Sequence, residues 1–398
     1  MQAAARTGLE VFLDQPPDVV RGQRLGLVTH PAAVDRGWRL AIDTLWEASG
    51  GPGGAPAGHG GWRLTRLFGP EHGVRGDYVS GAVPDSVDER TGLPISSLYG
   101  AHRQPTEEML ADVDVLVVDL QDVGARFYTY QVTAANCLAA GAAFRRPVVI
   151  LDRPNPIGGV AVEGPLLEAG FESFLGRRGQ PVRHGLTLGE LASAVNRAEG
   201  IGADLTVVPC DGWRRGTWWD GTGLPWVLPS PNFPTLDTAA VYTGTCLLEG
   251  TLLSEGRGTT RPFEIVGAPW IEPYRWAAAL NERALPGVHF RPLWFQPASS
   301  KHQGTRCGGV QPHVTDRERF RPVATGVHMI ETARRLWPEA FGWRPAAARP
   351  GAIPSIDRLY GSAALREGID AGEDAEAIIS TWDTRPFQAL RGTVFLYG

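Results

Sequence analysis

The residues best equipped for chemistry begin with the run Phe68-Gly69-Pro70-Glu71-His72-Gly73-Val74-Arg75-Gly76-Asp77. It sets a carboxylate, an imidazole and a guanidinium on one loop, where Gly69, Gly73 and Gly76 allow tight backbone paths and close approach of a ligand. Further acids stand on other loops: Asp119 and Asp122 in DLQDVGARFYTY, Asp152 in LDRPNPIGG, Glu163 in VEGP and Glu255 in SEGRGTT. Glycoside hydrolysis needs a carboxylic acid to protonate the leaving oxygen, and usually a second carboxylate. Nearby tyrosines (Tyr128, Tyr130), arginines (Arg75, Arg126, Arg257) and amides (Gln121, Asn155, Asn232) suit hydroxyl, acetamido or carboxylate groups. His72 and His184 add imidazoles that either bind substrate or join carboxylates around a metal. The plainer reading is structural. Asp119 and Asp152, just after strands, cap helices or pair with Arg126 or Arg153 as readily as they meet a substrate.

The elements that carry these loops favour a site. Trp62–Phe68, Asp114–Leu120 and Pro147–Leu151 read as buried strands, and each delivers a polar cluster at its C-terminal end. In open parallel sheets ligands bind beyond those ends. Gln23–His30 and Asp204–Cys210 complete the strands, and helices are expected at Arg39–Ala48, Gln131–Phe144 and Leu188–Glu199. Thr187 N-caps the last of these, with Glu190 at the capping-box position. This alternation predicts an α/β architecture, a Rossmann-like, mostly parallel sheet domain over residues 1–240. Gly50–Gly61 reads as a flexible insertion and Val79–Gly100 as one long ordered loop.

The pattern then changes. A helix over Tyr242–Leu253 leads to SEGRGTT, followed by strands at Val288–Phe295 and Gly308–Val314. Helices near Val323–Leu336, Ser355–Gly368 and Ala375–Leu390 close a smaller α+β domain over residues 241–398. Trp213, Trp218, Trp219 and Trp226 either stack on sugars or bases or fill the space between the domains.

Composition excludes several classes. The formal charge of −5 leaves no basic footprint for nucleic acid. No apolar run is long enough to span a membrane, and no secretory signal opens the given chain, so the expected location is cytoplasmic. Cys137, Cys210, Cys246 and Cys307 are too scattered for a disulfide or metal framework and read as buried small hydrophobes. GxGxxG after the first strand, the P-loop signature, GxSxG and HExxH are all absent, which disfavours nucleotide cofactors, an α/β-hydrolase elbow and a zincin site. No cofactor and no metal are expected. Oligomeric state is not legible.

The succession LFGPEHGVRG, TGLPISSLYG, DLQDVGARFYTY, LDRPNPIGG, VEGP, HGLTLGELA, LPSPNFPT, YTGTCLLEGT and SEGRGTTRPFE resembles the DUF1343 family. That family includes the exo-β-N-acetylmuramidases of glycoside hydrolase family 171. The resemblance covers Gly8 to the C-terminal FLYG. It implies a Rossmann-like domain, a smaller second domain and an active-site cleft between them. It also implies release of β-linked N-acetylmuramic acid (MurNAc) from the non-reducing end of peptidoglycan fragments. The glutamate of the family's PEHG motif maps onto Glu71, expected to act as general acid.

The remaining roles come from the loop argument. Asp122 is the candidate second carboxylate, with Asp119 and Glu255 as rivals. His72 is expected to bind the sugar or orient Glu71, and Arg75, Arg126 and Arg257 are candidates for the lactyl carboxylate of MurNAc. Gln121, Tyr128, Tyr130, Asp152, Asn155, Glu163, His184 and Asn232 complete the expected substrate-binding set. Two other readings stay open, a non-catalytic muropeptide binder and a metal-dependent hydrolase of another small polar substrate.

Overall fold

The structure, a computed structural model, describes residues 4–51, 61–79, 81–346 and 351–398. Most of the stretch expected to be a flexible insertion lies outside the described residues. Apolar, β-branched runs form strands in which backbone partners replace water. In chain order these are β1 (Arg24–Thr29), β2 (Arg63–Gly69), β3 (Ser86–Val87), β4 (Pro94–Ser97), β5 (Val115–Asp119) and β6 (Val148–Leu151). A hairpin of β7 (Glu163–Leu166) and β8 (Pro181–Arg183) precedes β9 (Leu205–Val208).

Seven strands make the main sheet, in the order β3-β4-β2-β1-β5-β6-β9. Every pairing is parallel except β3 with β4. The chain moves outward from β1 through β2 to β4, then returns to the other side of β1 for β5, β6 and β9. That reversal is a topological switch point, and the crevice beyond the C-terminal ends of β1 and its neighbours is where such sheets hold ligands. The mostly parallel α/β sheet expected from the alternation is present.

The second half carries an antiparallel sheet of β10 (Val266–Ala268), β11 (Val288–Phe295) and β12 (Cys307–Val314), ordered β10-β12-β11. Helices Leu236–Thr245 and Pro322–Leu336 cross tightly beside it. A β-carbon on Gly244 would fall 1.8 Å from the Pro322 carbonyl oxygen, so only glycine fits there. One buried apolar cluster runs from Val28 and Phe68 through Tyr128, Phe233 and Tyr242 to Val327 and Ile379. The two sheets therefore share a core. Among the described residues, no helix is long and apolar enough to cross a membrane.

Several expected boundaries move. The helix placed at Tyr242–Leu253 starts earlier, at Leu236, because the Thr235 side chain caps it on the Thr238 amide; after Thr245 it tightens into a 3₁₀ turn over Cys246–Gly250. The Ser355–Gly368 helix breaks at Gly361, whose φ is +97°, and the last helical stretch divides into Ala375–Ser380 and Arg385–Arg391. Part of the long loop proves to be β3 and β4. A helix over Gly8–Asp14, closed by a Thr7–Glu10 capping box, was not anticipated. Trp213 and Trp219 are buried and Trp219 packs edge-on against Trp226 at 5.8 Å, so this group is largely core.

Candidate active site

Glu71 follows β2 in a turn closed by the Gly73 amide donating to the Pro70 carbonyl at 3.0 Å. His72 occupies the turn's third position with φ +73°, a left-handed conformation normally left to glycine or asparagine. Its Nδ1 is 2.8 Å from the Tyr78 carbonyl oxygen, so this nitrogen carries the proton.

The Glu71 carboxylate is held by a hydroxyl of a neighbouring loop. Thr129, on the loop between β5 and the helix Tyr130–Phe144, donates its hydroxyl to Oε2 at 2.7 Å. Tyr99 arrives from β4: Gly69 pairs with Ser97 and the Leu98 amide donates to the Gly69 carbonyl at 2.8 Å, setting the two loops side by side. The Tyr99 ring stands beside this carboxylate, and its phenol pKa is raised by burial first and then by the charge of Glu71. A hydroxyl both donates and accepts, so Thr129 can serve Glu71 with or without its proton. Tyr130 fixes the backbone beneath, donating to the Glu71 carbonyl at 3.0 Å. Its ring meets His30, at the end of β1, edge-on at 4.7 Å.

Tyr128 extends the assembly toward the second half. Its hydroxyl donates to the Pro229 carbonyl at 2.6 Å, and its ring contacts Phe233 at 5.6 Å. Phe233 then packs on Phe263, over which Arg257 lies at 5.0 Å. Asn232, half-buried beside Phe233, keeps its side-chain amide free of protein partners among the described residues.

Asp122 is buried below the same loop. Oδ2 accepts from the Gly124 amide at 2.6 Å and lies 3.2 Å from His184 Nε2, whereas Oδ1 has no partner. Because His184 Nδ1 accepts from the Leu186 amide, Nε2 bears the proton that faces Asp122. Gly124, at φ +83°, has room for no β-carbon: one would fall 2.7 Å from Asn155 Oδ1. Gln121 is fastened to the Asp122 and Pro154 carbonyls at 2.8 and 3.0 Å.

Other expected contacts prove structural. Asp119 is fully buried and chelates Arg153 at 2.5 and 3.0 Å. Asp152 accepts from Thr187, the Gly189 amide and Tyr397, clamping a helix start and the C-terminus. Burial pushes its carboxyl up to about 6, with those donors pulling back. Asn155 donates to the Leu186 carbonyl at 2.9 Å. Glu163 caps the helix Pro322–Leu336 by accepting from the Ala324 amide at 2.8 Å, and burial raises its pKa. None of these reaches toward Glu71.

The arginines expected to take the lactyl carboxylate are also committed elsewhere. Arg75 binds Asp88 through two nitrogens and Asp43 through one. Arg126 is fully buried on the carbonyls of Pro165, Gln180 and Leu359, and burial lowers its pKa to about 9. Arg257 pairs with Glu249 at 2.7 Å and Glu255 at 3.3 Å, while Lys301 holds Glu255 at 2.8 Å. Among the described residues, no three His, Cys, Asp or Glu side chains gather as metal ligands.

The sequence reading missed Thr129, Tyr99 and His30. Thr129 stands inside a motif it had singled out, but a hydroxyl between two tyrosines carries no signal of its own. Tyr99 was lost because β4 opens on proline and contains two serines, so its strand character was hidden.

Two family models match the chain: the N-terminal part of the exo-β-N-acetylmuramidase NamZ over residues 25–237 and its C-terminal part over residues 240–397. A peptidoglycan β-N-acetylmuramidase NamZ of Bacillus subtilis (strain 168) is 45% identical over 395 residues, covering 98% of this chain and 91% of the relative. Two crystal structures of DUF1343 family proteins from Bacteroides fragilis NCTC 9343 share the fold. One has a TM-score of 0.89 at 35% identity, covering 100% of both chains. The other has a TM-score of 0.76 at 28% identity and covers 99% of each.

Proposed function

The chain belongs to the exo-β-N-acetylmuramidase NamZ family, and from that premise we propose a glycosidase with Glu71 as its general acid, releasing β-linked MurNAc from the non-reducing end of peptidoglycan fragments. The observation that carries the role of Glu71 is its carboxylate, held by Thr129 over the switch point of the sheet. A general acid must present one oxygen to the leaving group in a fixed direction. Thr129 occupies Oε2 and so orients the carboxyl group. Proton transfer to the glycosidic oxygen breaks the bond to the anomeric carbon, and the positive charge that develops on the sugar needs a second carboxylate.

Asp122 fills that role in our reading. Unlike Asp119 and Glu255, it has no arginine or lysine partner among the described residues, and one of its oxygens is unoccupied. One loop carries both Asp122 and Thr129, the residue that holds Glu71, which supports a common site. His72 and Asn232 are assigned to the sugar. We place the division of the chain near residue 240, with the cleft between its halves. The aromatic path from Tyr128 to Arg257 joins the Glu71 side of this site to the second half. A reducing, cytoplasmic setting fits four cysteines that are all free and buried.

The test is direct. MurNAc-GlcNAc incubated with the protein yields free MurNAc by mass spectrometry if the reading holds, and an intact disaccharide beside well-folded protein sinks it.

A further inference from the structure

The muramyl sugar differs from other N-acetylhexosamines by its lactyl carboxylate, so an enzyme that selects it needs a cation free to meet that group. Arg75, Arg126 and Arg257 are occupied, as described above. Arg103 is not. It stands on the loop after β4, exposed, and forms no ion pair among the described residues. Its guanidinium lies over two aromatic rings, 4.0 Å from the Tyr99 centroid and 4.5 Å from that of Phe174. Those rings are themselves 5.6 Å apart. The two rings touch each other and together hold the guanidinium from one side, leaving its outward N–H groups available, which suits capture of a carboxylate.

Position supports the same role. Tyr99 carries Arg103 on its ring, and its loop lies beside that of Glu71, joined by the Leu98 amide on the Gly69 carbonyl at 2.8 Å, so this cation stands close to the proposed acid. The backbone beneath Arg103 is also pinned, its carbonyl accepting from Asn136 at 2.7 Å. We propose that Arg103, resting on Tyr99 and Phe174, binds the lactyl carboxylate of the terminal sugar and sets the specificity of the site. This rests on the glycosidase reading and adds the residue that distinguishes a muramyl sugar from its neutral counterparts.

The experiment compares 4-nitrophenyl β-MurNAc with the same glycoside carrying its lactyl group as a neutral amide. Both are hydrolysed by the wild type, Arg103→Gln and Arg103→Lys, with folding checked by thermal melting. The wild type should prefer the acid by about 10- to 100-fold in kcat/KM, the range for a charge-assisted contact. Arg103→Gln should treat the two alike, and Arg103→Lys should recover part of the preference. The ratio isolates the carboxylate, because any general disturbance of Glu71 through Tyr99 lowers both rates together. A preference that survives in Arg103→Gln, or is absent in the wild type, overturns the assignment and leaves the glycosidase intact. Cleavage of neither glycoside by the wild type overturns the glycosidase reading and this proposal with it.

Discussion

Thr129 Oγ1 lies 2.7 Å from Glu71 Oε2, joining the loop after β5 to the loop after β2 across the end of β1. The bond costs nothing in covalent strain and ties two chain segments that the sheet already holds parallel. Its use is directional, since it leaves the remaining oxygen of Glu71 to point at a substrate. Thr129→Val keeps the shape and removes the hydroxyl. One such bond is worth ~1–1.5 kcal/mol, so kcat should fall about 10-fold with KM little changed. An unchanged kcat would show that Glu71 needs no such support.

His72, assigned to the sugar in our reading, is kept in a conformation that suits glycine. Moving to His72→Gly relieves ~1–2 kcal/mol of left-handed strain. It also loses ~1 kcal/mol for the bond to Tyr78 and ~0.5–1 kcal/mol to the freer unfolded chain. The terms nearly cancel, so the melting temperature should barely move while kcat/KM falls clearly. A large loss of stability would mean that the ring serves the fold.

Asp152 makes stability depend on pH. Its carboxyl titrates near 6 when folded because burial disfavours the charge, against an ordinary value near 4 in the unfolded chain. The folded state therefore holds the extra proton between about pH 4 and 6, and stability falls as pH rises through that window, by about 3 kcal/mol in all. Asp152→Asn does not titrate. Melting of the two proteins from pH 4 to 7 should show the wild type losing ground to the variant, and a constant difference would contradict the account.

Arg126 tests how the structure redistributes the arginines. Removing it strands three carbonyls, two of them buried, including that of Leu359 in the second half of the chain. Arg126→Met should lower stability by about 3 kcal/mol or more, read by urea unfolding. KM of the folded fraction should stay put. A raised KM with normal stability would return Arg126 to the substrate.

Much of this architecture is legible in the sequence, because parallel strands such as Val115–Asp119 and Val148–Leu151 are buried on both faces and read as unbroken apolar runs. The Thr187–Glu190 capping box is equally plain, being local chemistry at fixed spacing. What fails is the sorting of polar residues. Arg75 and Arg103 look alike in sequence, and only the fold reveals that Asp43 and Asp88 consume the first while two rings leave the second free. Partners of that kind are long-range and obey no spacing. Asp152 looks like a site residue for the same reason, since Tyr397, which holds it, is at the far end of the chain.

The most direct test of the central claim pairs Glu71→Gln with two leaving groups. On MurNAc-GlcNAc, whose leaving oxygen must be protonated, the folded variant should lose about 10²–10⁴ in kcat. On the 2,4-dinitrophenyl β-glycoside of MurNAc, which departs without a proton, the loss in the bond-breaking step should be far smaller. Disaccharide turnover that matches the wild type would remove Glu71 from the mechanism.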